Sequence, residues 1–144
     1  MNIEVRFFSR SGNTKKVAEA VANAVGAEAK DCSEPLTEPV DLLFLGGSVY
    51  GGGLDGNLKQ FIEQLDASTV KRAAVFSTSA IVKTPEKEAE GLLRDRGIPV
   101  SSHSFHCRGS FLIMHKGRPN DEDLSGAAAF AVSAADEAKL SADG

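Results

Sequence analysis

Six consecutive residues, Ser9, Arg10, Ser11, Gly12, Asn13 and Thr14, separate an apolar run from a helical pattern. Ser9, Ser11 and Thr14 supply hydroxyl donors, while Gly12 and Asn13 tolerate tight backbone turns. A helix beginning at this point adds backbone N–H groups and the positive end of its dipole. Together these groups describe a cradle for a phosphate or another anion. A simple N-cap needs one such residue, whereas five of these six positions carry a small hydrogen-bonding residue or glycine.

The nucleotide triphosphate loop G-x-x-x-x-G-K-[ST] is absent, because the second glycine and the Lys-Ser/Thr pair are missing. Lys15 and Lys16 come too early for that loop and read as solvated residues of the first helical turn. Residues 51–56, GGGLDG, do satisfy G-x-G-x-x-G ahead of a helix. Their first glycine falls several residues after the apolar strand, and no acidic residue closes the next strand, which ends VFSTS, so a dinucleotide is disfavoured. Tyr50, the single tyrosine of a chain without tryptophan, precedes Gly51, Gly52 and Gly53. A flat ring beside a flexible backbone suits a planar aromatic ligand.

No general base stands out in these loops. His103 and His106 are three residues apart on a weak strand pattern and so on opposite faces, which with His115 makes no metal set. Cys32 and Cys107 show no C-x-x-C spacing and read as incidental thiols.

The elements that must position these residues alternate along the chain. IEVRFF (3–8) reads as a strand, followed by a helix with Val17, Ala20, Val21, Ala24 and Val25 on one face and Gly26 at its end. AEAKDC is a weak strand, SEPLTEP a loop, and VDLLFLGG the strongest buried strand. Leu58, Phe61, Ile62 and Leu65 mark a second helix, and KRAAVFSTS a further strand. Thr84-Pro85 opens a helix carrying Ala89, Leu92 and Leu93 up to Gly97, IPVSSHSFHC is the fifth strand, and a last helix starts near Asn120 or Asp121 with Leu124, Ala128, Ala131 and Ala135 along one side. Strands alternating with helices demand crossovers, hence an α/β fold with a parallel sheet covered on both faces. Ligands of such folds bind beyond the carboxyl ends of the strands. That singles out residues 9–14, 46–53 and 77–81, and within them Ser48, Val49, Ser77, Thr78 and Ser79 beside the residues already named.

At 144 residues the chain predicts a single domain, 1–144, and its formal charge of -4 offers no basic face for nucleic acid. Neither a secretory leader nor a membrane span is visible, which predicts a cytoplasmic protein. Response-regulator receivers need acidic residues after the first strand and an aspartate ending the third; Ser9 and Gly46-Gly47-Ser48 stand there instead.

SRSGNT resembles the phosphate loop of the short-chain flavodoxins, and DLLFLGGSVYGGGLDGNLKQFIEQL resembles their third strand, second flavin loop and following helix. The resemblance implies a flavodoxin-like three-layer αβα sandwich with a five-stranded parallel sheet of order 2-1-3-4-5, an order known for flavodoxins and not read from periodicity. It implies FMN, its phosphate on residues 9–14 and its ring between the second and third loops, with Tyr50 stacking. It further implies that a peptide among Gly51–Gly53 turns its carbonyl toward flavin N5 on reduction. The expected function is electron transfer between redox partner proteins, a reductase and an acceptor. The alternative is an FMN-dependent NAD(P)H/quinone-type oxidoreductase acting on a small molecule. Two departures from the family pattern, a third loop STSAIV without an aromatic residue and Arg10 inside the phosphate loop, predict a flavin potential less negative than the family's usual one.

Overall fold

The computed structural model describes residues 1–9, 12–49, 55–79, 86–108 and 119–143. Strands β1 (Ile3–Phe7), β2 (Ala29–Asp31), β3 (Leu42–Val49), β4 (Ala73–Ser79) and β5 (Phe105–Arg108) alternate with helices α1 (Asn13–Val25), α2 (Gly56–Glu63), α3 (Glu86–Asp95) and α4 (Asp121–Asp143). All strand pairs are parallel, and the sheet order is β2-β1-β3-β4-β5. This is the order implied by the resemblance. Among the described residues no helix is long and apolar enough to cross a membrane.

Alternation in the strands feeds two cores. Val5, Phe7, Leu42, Phe44, Ala74 and Phe76 pack against α1 and α4. Leu43, Leu45, Ala73 and Val75 turn the other way, against Leu58, Phe61 and Ile62 of α2 and Ala89 and Leu93 of α3. Helices on both faces are what a sheet of near-continuous apolar strands requires. Helix α1 ends at Gly26 as expected. Leu65, expected on the second helix, is buried just beyond its end. Thr84 and Pro85, expected to open the third helix, lie outside the described residues.

Three features depart from the sequence reading. The fifth strand is confined to Phe105–Arg108; Val100 makes only an isolated bridge to Ala73. The residues between are drawn to α4: Ser101 Oγ donates to Glu137 Oε1 at 2.6 Å, and Ser102 Oγ donates to the other carboxylate oxygen. The buried face of α4 is Ala127, Phe130, Ala131, Ala134, Ala135 and Ala138, so the helix is turned toward Phe130 relative to the predicted stripe. Phe130 enters an aromatic group with ring centroids 5.6 Å from Phe44, 6.5 Å from Phe76 and 6.0 Å from Phe105. One large ring outweighs several alanines in apolar area, and it sets the helix's rotation.

Third, Arg6 is buried inside a run that reads as apolar, with 3% of its surface exposed. Its guanidinium donates to the carbonyls of Glu34 at 2.8 Å and Pro35 at 3.2 Å and pairs with Glu4 at 2.8 Å. These bonds satisfy its buried donors and tie the proline-containing loop after β2 to the sheet.

Candidate functional site

The carboxyl edge of the sheet brings together the ends of β1, β3 and β4. Ser48 and Val49, expected in the second loop, continue β3, while Ser77, Thr78 and Ser79 end β4 as the strand reading of KRAAVFSTS has it, with Ser48 paired to Thr78 and Val49 to Ser79. Backbone ladder bonds do not depend on side-chain polarity, so strands outrun their apolar stretch. For Ser48, Val49 and Ser79 the description extends to the backbone. Arg10, Ser11, Tyr50, Gly51, Gly52 and Gly53 lie outside the described residues, as do residues 80 and 81.

The first connection forms a tight turn. The Phe8 N–H donates to the Gly46 carbonyl at 3.1 Å, which ends the β1 ladder. Ser9 Oγ then accepts from the Gly12 N–H at 3.0 Å. Gly12 is the N-cap of α1 in the left-handed region, φ 89°, where a side chain would be strained. As a glycine it brings no side-chain acceptor to the helix, and the first turn holds no acidic residue. Within this first turn the helix dipole therefore meets no carboxylate. Asn13 and Thr14 are buried, whereas Lys15 and Lys16 are exposed, as their reading as solvated residues requires.

Thr14 reaches across to β4. Its Oγ1 lies 2.8 Å from Thr78 Oγ1, with the two residues 0% and 1% exposed. Two hydroxyls carry two protons, and their mutual bond uses one. No described residue accepts the other. An unmatched buried hydroxyl proton costs on the order of 1–3 kcal/mol, and an anion at the foot of α1 would remove that cost. The donor set fits a phosphate: N–H groups, hydroxyls and no carboxylate in the turn.

On the other sheet face Ser77 Oγ lies 2.8 Å from His106 Nδ1, its neighbour across the β4–β5 pairing. The sequence reading gave His106 no role, since only the register of β5 places it beside Ser77. Cys107 is buried. Burial, reinforced by the carboxylates of Asp31 and Asp55, pushes the Cys32 thiol up to about 11, which keeps it protonated and unreactive near neutral pH. A cleft of about 420 Å³ between α2 and the segment after β2, floored by Phe8, Phe61 and Leu65, contains no basic group among its described lining residues and does not compete for an anion. No described group of His, Cys, Asp or Glu side chains could hold a metal ion.

The family model of the flavodoxin domain matches residues 5–105. No curated protein matches the chain. Among solved structures, a flavodoxin from the domain Archaea is 22% identical with a TM-score of 0.79, covering 96% of this chain and 99% of that one. Oxidised flavodoxin 2 from Bacillus cereus is 21% identical, TM-score 0.71, covering 95% and 99%. Rubredoxin oxygen:oxidoreductase from Desulfovibrio gigas is 12% identical, TM-score 0.79, covering 96% of this chain but 36% of that larger one.

Proposed function

The chain belongs to the flavodoxin family, whose members bind FMN, and from that premise we propose that it carries electrons between redox partner proteins through an FMN at the carboxyl edge of its sheet. The observation that carries this reading is the turn at Ser9–Thr14: an α1 N-terminus without an acidic partner, next to a buried hydroxyl pair with a proton to give. Bound FMN supplies redox chemistry in one- or two-electron steps. The chain's part is to hold it. Ser9, Arg10, Ser11, Gly12, Asn13 and Thr14 bind the phosphate, with Ser9 keeping the turn closed through the Gly12 N–H. Ser48, Val49, Tyr50, Gly51, Gly52 and Gly53 border the ring on one side and Ser77 and Ser79 on the other, while the Thr78 hydroxyl turns to Thr14 at the phosphate end.

One observation favours the alternative, a small-molecule oxidoreductase. His106 is half-buried at the same edge and can give or take a proton. Redox titration of the FMN-loaded protein together with an NAD(P)H assay separates the two readings. Two resolved one-electron steps, a potential less negative than is usual for flavodoxins, and no NAD(P)H consumption by the protein alone are expected. Steady NAD(P)H oxidation without a reductase, or transfer only in two-electron steps, would put the enzyme reading first.

A further inference from the structure

Thr78 sits on β4 between Ser48 of β3 and Cys107 of β5, so two neighbouring strands fix its place. The only hydrogen-bond partner of its side-chain hydroxyl among the described residues is the Thr14 hydroxyl, 64 residues earlier. The pair is ambivalent by itself, because either oxygen can be the donor. An anion at the α1 N-terminus removes the ambivalence: the Thr14 proton turns to the anion, and Thr14 Oγ1 then accepts from Thr78. With the opposite direction Thr14 would present lone pairs to a negative group.

We propose that Thr78 is a positioning residue for phosphate recognition: its hydroxyl donates to Thr14 Oγ1 and thereby commits the Thr14 proton to a phosphate oxygen of FMN. This rests on the FMN reading above. Donors linked in series polarise one another, so the Thr14 bond to a charged phosphate is strengthened by the bond behind it. Thr78 thus acts through Thr14, and ties the phosphate end of the site to the strand that leads into the third loop.

The test compares dissociation constants for FMN and for riboflavin, which lacks the phosphate, in the parent chain, T78V, T78S, T14V and T14V/T78V. T78V should weaken FMN about tenfold while riboflavin stays within about twofold, because the Thr14 bond to the charged phosphate loses the donor that commits its proton. T78S, which keeps the hydroxyl, should recover FMN affinity to within about threefold. The double variant should bind FMN no more weakly than T14V, because both changes cut one relay. It also replaces both hydroxyls by apolar groups of similar shape, so it preserves a folded reference should T78V fold poorly. The ³¹P resonance of bound FMN should move in T78V and return in T78S. Equal losses for FMN and riboflavin, an unchanged FMN affinity in T78V, or additive losses in the double variant would overturn the proposal. A parent chain that binds both flavins equally would overturn the phosphate cradle itself, an outcome visible before any variant is made.

Discussion

Replacing Ser9 by aspartate is expected to reduce FMN affinity at least ~100-fold, equivalent to about 2.7 kcal/mol, while leaving the fold as stable as before or more so. Ser9 Oγ accepts the Gly12 N–H at 3.0 Å, and a carboxylate accepts the same bond. It also places a negative charge at the N-terminus of α1, whose first turn has none, which stabilises the free protein by about 0.3–1 kcal/mol. The same charge opposes a phosphate in the turn. At a separation of about 5 Å and an effective dielectric constant near ~20, each pair of like unit charges costs about 3 kcal/mol. Stability and affinity therefore move in opposite directions. Thermal melting of the flavin-free protein and flavin fluorescence titration read the two effects separately. Undiminished FMN affinity in S9D would place the phosphate elsewhere.

The second large effect is on the fold beneath the site. Gly46 on β3 lies opposite Phe7 of β1 and Phe76 of β4. A Cβ at position 46 would stand 2.0 Å from Phe76 Cε2 and 2.2 Å from its Cζ. The Phe76 ring is fully buried and packs against Phe130, so it has no open space to retreat into. Gly46→Ala should destabilise the protein by about 3 kcal/mol, the upper end of ordinary overpacking. Phe76→Leu should cost stability alone yet restore part of it in the Gly46→Ala background. Urea unfolding of the four proteins in this cycle checks the claim. Additive losses would mean that the ring is not what the new methyl meets.

Much of this architecture can be read in the sequence, because the physical signals are local. The apolar run at Leu42–Leu45 and the helical spacing of Val17, Val21 and Leu58, Ile62 each name an element, and the helix starts after Gly12, where the anion cradle is proposed. The signals that fail are those whose partners lie far along the chain. Arg6 looks out of place in a buried strand until Glu34 and Pro35 fold over it. Helix α4 carries alanines on most sides, so its periodicity is flat, and Phe130 decides its rotation through rings on three strands. Ser101 and Ser102 leave the strand pattern for a carboxylate on α4. The sequence proposes Thr14 for the cradle but does not show its bond to Thr78, since nothing at either position names the other. His106 became part of the carboxyl edge only through the short β5 register.

The most direct test of the central claim is a titration of the purified, flavin-free chain with FMN and, in parallel, with riboflavin, followed by flavin fluorescence and the visible spectrum. A phosphate held by Ser9–Thr14 predicts that FMN binds, keeps its visible bands through desalting, and binds at least ~100-fold more tightly than riboflavin, as two or more hydrogen bonds to a charged group imply. Failure of FMN to bind, or equal affinity for the two flavins, would contradict that account.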